Sequence, residues 1–308
     1  MHGAGLHRRR GLGLNAALRV DARATLGECP LWCERSASLW WTDIQSCTLS
    51  RWRPADGSLR HWTLPDRVGS FAFCAGDDRL LLGLATGIAL FHPETQALSP
   101  IVPLDAPPAE GLRINDGRCD REGRFVFGMF NTAEAPVGHF YRVHGDLRIE
   151  RLPLPPAGVA NSIAFSPDGR TMYYADSPTR TIFRADYAAD GRVGAPRVFV
   201  TLAASEGYPD GSTVDANGGL WNAQWEGGCV VRYDSEGRET ARIALPATRP
   251  TCPAFGGTTL DTLYVTSARI GLRPEALAQQ PAAGGVLEMQ PGWHGLPESR
   301  FVLAGTRP

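Results

Sequence analysis

Glu28, Asn161 and Asp210 carry the side chains in this sequence most suited to chemistry. Each stands at the head of a short apolar run, in "LGECPLW", "VANSIAF" and "YPDGSTVD". Two carboxylates and an amide carbonyl form an oxygen-only donor set. Such a set suits a hard divalent cation such as Ca²⁺, Mg²⁺ or Mn²⁺, and a carboxylate-rich site also takes Zn²⁺. The same residue types serve ordinary turns, because Asp-Gly and Asn-Ser side chains bond their own backbone. Spacing alone leaves both readings open.

A second group is Arg113, Asn115 and Asp116 in "EGLRINDG". Arg113 and Asn115 are two apart on an extended segment, so they share a face. A guanidinium and an amide there hold hydroxyls or a carboxylate of a polar ligand, or else the arginine is buried against a neighbouring carboxylate. "GMFNTAE" adds Asn131 and Glu134, and Trp221 and Trp225 flank a strand near Asp210 and border a possible pocket. The seven histidines show no ligand spacing. There is no Gly-x-Ser-x-Gly elbow and no phosphate-cradling glycine loop, which disfavours a serine hydrolase or a nucleotide enzyme.

The elements that must position these residues are short strands. "DREGRFVFGMF", "SPDGRTMYYAD" and "DANGGLWNAQW" share one grammar: polar residues, a glycine, then an apolar alternating run. Their glycines, Gly123, Gly169 and Gly218, are 46 and 49 residues apart. A period of roughly 40–50 residues with about four strands per unit is the signature of propeller blades. The expected fold is therefore all-β, a six-bladed β-propeller, with six units between about Glu28 and Phe301, and with a central metal site if Glu28, Asn161 and Asp210 serve as ligands rather than as turn residues. Ring closure is expected to pair a strand near Leu14–Ala22 with strands near Gly285–Leu303. Asn161 and Asp210, 49 residues apart, would then occupy equivalent places in adjacent blades. "RPEALAQQ", residues 273–280, is the best candidate for a short helix.

Composition agrees. The 308 residues contain 35 Gly and 24 Pro, and charged residues are at 20% against the usual ~25%, which favours strands and turns over long solvated helices. With 31 Lys+Arg against 32 Asp+Glu the chain lacks the basic surplus of a nucleic-acid binder. No apolar run is long enough to span a membrane as a helix. Residues 1–13 read as a disordered leader and 14–308 as a single domain; the leader is basic but has no apolar stretch of the secretory kind. Seven cysteines without a Cys-x-x-Cys pair read as buried thiols of a reducing compartment, so the cytoplasm is the expected location. A monomer or dimer is expected.

These segments resemble the senescence marker protein / gluconolactonase / luciferin-regenerating enzyme family. The resemblance rests on "LGECPLW", "WWTDI", "RINDGRCDREGRF", "NSIAFSPDGRTMYYADS", the stretch from "PDGSTVDANGG" to "RYDSEG", and "PTCPAFGGTTLDTLYVTSARIGL", and covers roughly residues 25–288. It implies a metal-dependent sugar lactonase with one divalent ion, whether Ca, Zn, Mg, Mn or Fe. It implies Glu28, Asn161 and Asp210 as the metal ligands, Asp210 also as the catalytic base, and Arg113 and Asn115 as substrate-binding residues. The expected substrate is an aldonolactone, arabinono-, xylono-, glucono- or galactonolactone. The alternatives are an aldarolactone, an aryl ester or phosphotriester, or a sugar acid bound without turnover. Where many members read Gly-Thr-Met, this chain has "GMFNTAE", so Asn131 and Glu134 alter the expected sugar-facing wall.

Overall fold

The computed structural model describes residues 16–104 and 111–305; the expected leader, residues 1–13, lies outside the described residues. Twenty-four strands form six four-stranded antiparallel sheets. The innermost strands are Gly27–Cys33, Val68–Phe73, Leu112–Cys119, Ala160–Phe165, Tyr208–Val214 and Pro250–Gly256, which begin blades 1 to 6. Closure occurs where expected: Ala17–Val20 is the outermost strand of blade 6 and pairs with Val286–Met289. The short helix is Pro274–Gln279.

The turn grammar has a physical cause. In "DREG" the Asp120 carboxylate accepts the backbone N–H groups of Glu122 (3.0 Å) and Arg124 (2.9 Å). In "DANG" Asp215 accepts those of Asn217 and Gly219, both at 3.0 Å. The glycine of each turn is left-handed, φ +79° at Gly123 and +82° at Gly218, a conformation in which a Cβ is strained. These aspartates replace backbone partners that a tight turn leaves open.

The core is a set of wedges between neighbouring blades. Strand side chains alternate in direction, so Trp40 enters the wedge shared by blades 1 and 2. Trp41, the next residue, enters the wedge shared by blades 6 and 1. Trp40 stacks on Trp62 with centroids 5.1 Å apart. A strand buried on both faces reads as a continuous apolar run, which is why "SLWWTD" does not alternate.

The chain after the last strand runs as a strap across the ring. Ala216 donates to the His294 carbonyl at 2.8 Å, Phe301 donates to the Phe73 carbonyl and accepts from the Ala75 N–H, both at 2.8 Å, and Val302 donates to the Gly123 carbonyl at 2.9 Å. Phe301 is fully buried among residues of blades 2 and 3. Phe301→Ala is expected to destabilise the protein by about 3–5 kcal/mol, measurable by denaturant unfolding; an unchanged midpoint would show that the strap contributes nothing to ring stability.

Candidate active site

Every innermost strand breaks register part-way along. The breaks fall between Glu28 and Leu31, Val68 and Ser70, Ile114 and Gly117, Asn161 and Ala164, Pro209 and Ser212, and Pro250 and Pro253. A bulge re-aims side chains beside it, and these six surround the propeller axis. The bulge residues Cys29 and Ser162 have φ of +49° and +58°. At Gly211 an added Cβ would lie 2.5 Å from the Cβ and Sγ of Cys252, so only glycine lets blades 5 and 6 approach there. The expected equivalence of Asn161 and Asp210 is off by one residue. Asn161 and Glu28 precede their bulges, whereas Asp210 lies within its own and matches Ser162.

Glu28, Arg113, Asn115, Glu134, Asn161 and Asp210 all line one cavity of about 390 Å³, together with Ser177, Tyr208, Trp225 and Ile270. Asn131 does not line it. Its amide donates to the Ala135 carbonyl (2.9 Å) and accepts from the Ala133 N–H (3.1 Å), while its carbonyl accepts from Glu134. Asn131 thus braces the turn that presents Glu134, whose φ is +57°. Trp221 is likewise absent from the cavity. It is fully buried against Phe255 and Trp293.

A directed chain of hydrogen bonds sets the orientation of Asn161. The Pro209 carbonyl can only accept, so the Ser177 hydroxyl donates to it at 2.6 Å. The Ser177 oxygen then accepts from the Asn161 amide nitrogen at 2.9 Å. That fixes the amide, and its Oδ1 accepts from Asn115 Nδ2 at 2.9 Å. The second Asn115 proton goes to the Ala160 carbonyl at 2.9 Å, and its oxygen accepts from Arg113 at 2.6 Å. Asn115 is therefore engaged within the protein, and it orients Asn161. Ser177 carries no sequence signal of its own; it reaches the site from the turn after the second strand of blade 4.

The electrostatics are lopsided. Glu28 is pushed up to about 8, by burial first and then by the charge of Asp116. Asp210 is pushed well above the usual carboxylate range by burial, then by Glu28 and Asp116. Burial also raises Asp116, although Arg118 and the Ile163 N–H (2.7 Å) oppose it. Arg113 favours the charged form of both Glu28 and Asp210, against these upward shifts, and is itself pulled down to about 10, chiefly by burial. Its guanidinium lies over the Phe130 ring, 4.3 Å from the centroid. Toward the strap, Arg118 pairs with Glu298 and donates to the Ser212 carbonyl at 3.0 Å.

The donor set fits a hard cation. Half-buried Glu28 and buried Asp210 face each other's repulsion, and one amide is locked with its oxygen toward Asn115 and its nitrogen away. Among the described residues no three His, Cys, Asp or Glu side chains are gathered for a metal; the Asn161 amide oxygen is a further oxygen donor on the same cavity wall. Glutamate, aspartate and amide oxygens are the chemistry of Ca²⁺ and Mg²⁺ sites. If Asn161 is a ligand, Ser177 is its orienting partner. Ser177→Ala is then expected to weaken cation affinity about 10–100-fold while leaving the melting temperature of cation-free protein within a few degrees. Titration calorimetry on stripped protein checks this, and unchanged affinity would remove Ser177 from the account.

The chain matches a known family over most of its length. The description "SMP-30/Gluconolactonase/LRE-like region" matches residues 26–269. An L-arabinolactonase of Azospirillum brasilense is 50% identical, over 94% of this chain and 96% of its own. A 6-deoxy-6-sulfogluconolactonase of Pseudomonas putida is 35% identical, over 94% of this chain and 100% of its own. Among solved structures, a calcium-binding protein, regucalcin, from Agrobacterium tumefaciens superposes with a TM-score of 0.87 at 32% identity, covering 92% of this chain and 97% of the other. A match over most of the ring, with relatives aligned nearly end to end, places this chain in the SMP-30/gluconolactonase/LRE-like family.

Proposed function

We propose that this protein hydrolyses a sugar lactone to the open sugar acid, and that its substrate is a five-carbon aldonolactone of the L-arabinono type. One observation carries the reading: a buried aspartate, a half-buried glutamate, a locked amide oxygen and the Arg113 guanidinium line a single cavity large enough for a sugar. The 50% identity to a protein named L-arabinolactonase supports the five-carbon substrate.

Glu28, Asn161 and Asp210 would hold one divalent cation, with calcium favoured by the oxygen-only donors. When bound, such an ion polarises the lactone carbonyl and makes a nearby water more acidic. Arg113 orients the carbonyl or a ring hydroxyl with the N–H groups left after its bond to Asn115. Glu134, on its braced turn, accepts from sugar hydroxyls. As the water oxygen bonds to the carbonyl carbon, Asp210 takes its proton; the ring C–O bond then breaks, and the same proton passes to the departing ring oxygen. A carboxylate has two oxygens, so one can serve as donor to an ion while the other handles the proton.

A pH-indicator assay tests the reading, using L-arabinono-1,4-lactone, D-glucono-1,5-lactone, an aldarolactone and 4-nitrophenyl acetate with single cations resupplied to stripped protein. The expected result is cation-dependent turnover with the highest kcat/KM on the pentonolactone. Faster turnover of the aryl ester than of every lactone, or no turnover at all, would overturn it.

A further inference from the structure

The hydrolytic groups occupy only part of the cavity wall. Arg113, Phe130 and Glu134 come from blade 3. Another part of the wall is apolar and aromatic: Tyr208 and Trp225 from blade 5, with Leu26 and Ile270 from the joint between blades 6 and 1. Tyr208 and Trp225 are direct partners across the first two strands of blade 5. Trp225 and Ile270 also pack against Leu26, Ile44 and Ala268.

One arginine gathers this wall. The Arg249 guanidinium lies 5.1 Å from the centroid of the Trp225 ring. It donates to the Glu226 carboxylate at 2.9 Å and to the Ile270 carbonyl. Trp225, Glu226 and Ile270 all line the cavity; Arg249 itself does not. Its side chain is only 17% exposed. The backbone yields to it at Gly271, where φ is +70° and an added Cβ would lie 2.8 Å from the guanidinium. Glu226, with φ +64°, is held in a left-handed conformation that a non-glycine residue seldom adopts. A three-way tie of this kind needs the forked donors of arginine; the single ammonium of lysine cannot span an indole, a carboxylate and a carbonyl in one geometry.

A sugar lactone has two kinds of surface, hydroxyls and carbonyl at the edge and C–H groups on the ring faces. The donors and acceptors of the hub suit the edge, and an aromatic wall suits a face. We propose that Trp225 is the stacking face for the lactone ring, and that Arg249 is a positioning residue that fixes this face and so sets which lactone is preferred. The inference rests on the lactonase reading and adds the apolar part of the cavity wall. Because the contact is made equally to the bound lactone and to its transition state, its loss raises KM and leaves kcat nearly unchanged.

The test uses the full chain loaded with its cation and four variants: Trp225→Leu, Trp225→Phe, Arg249→Met and Arg249→Lys. Their folding is checked by circular dichroism and melting. Trp225→Leu is expected to raise KM for L-arabinono-1,4-lactone by roughly 10-fold, with kcat within about threefold, and Trp225→Phe to recover most of the loss. Both Arg249 variants are expected to raise KM and to narrow the preference between L-arabinono-1,4-lactone and D-glucono-1,5-lactone. Unchanged KM in Trp225→Leu, or a fall in kcat alone, overturns the stacking face. Unchanged KM and lactone preference in folded Arg249→Met overturns the positioning role. If wild-type protein opens no lactone, the lactonase reading fails by itself. The wall is then judged by calorimetric titration with L-arabinonate, where weaker binding to Trp225→Leu supports it and equal binding overturns it.

Discussion

Asp210→Ala is expected to lower kcat for lactone opening by ~10²–10⁴, the usual worth of a positioned general base. The residue lies in the bulge of the blade 5 inner strand, where burial, Glu28 and Asp116 all disfavour its charge. Such a site is poor for stability and good for chemistry, because a carboxylate that is hard to charge takes a proton readily. The same variant should therefore not lower the melting temperature of cation-free protein, since it removes a buried like-charge contact without orphaning a cation. Steady-state kinetics with saturating cation, together with a melt of stripped protein, checks both halves. Full retained activity would dismiss Asp210 as the base.

Asp215→Ala should do the reverse. Asp215 is completely buried. It accepts from Asn217 and Gly219 in its turn, from the Trp221 indole at 2.8 Å, and from Arg232 at 2.7 Å. Arg232 is itself 7% exposed and lies over Trp293, 4.8 Å from its centroid. Removing the carboxylate leaves a buried guanidinium without its counter-charge and three N–H groups without their acceptor. Breaking a buried pair from one side costs about 3–5 kcal/mol. Denaturant unfolding of Asp215→Ala is expected to show a loss of that size, with kcat near wild type where the protein remains folded. A loss below about 1 kcal/mol would show that Arg232 finds another partner. Two aspartates five residues apart thus divide the roles, one for the reaction and one for the blade.

Much of the fold and part of the site were readable from the chain. The Asp-x-x-Gly turns and their spacing gave the blade period because one side chain caps one turn per repeat. The cavity residues Glu28, Arg113, Asn115, Asn161 and Asp210 were legible because they sit in the first half of inner strands, and a propeller brings such positions to one mouth of its channel; Glu134 reaches the same mouth from the turn after the second strand of blade 3. The bulges were not legible. The 49-residue separation of Asn161 and Asp210, about one blade period, placed them level, whereas relative to the bulges Asp210 is one residue further on. Asn131 looked like a ligand contact by type, yet its amide closes a local turn. Ser177 and Arg249 were missed because their roles exist only across blades. Ser177 works through the Pro209 carbonyl of the next blade, and Arg249 through Trp225 and Ile270. The Arg118–Glu298 pair joins residues 180 apart, a distance no local pattern spans.

The central claim is that Glu28, Asn161 and Asp210 share one divalent ion at the hub. Calorimetric titration of metal-stripped protein with Ca²⁺, repeated with Glu28→Gln and Asn161→Ala, tests it most directly. The expected result is one ion per wild-type chain and affinity at least ~10-fold weaker in each variant. No binding of any divalent ion by wild-type protein, or a full-affinity site in both variants, would contradict the account.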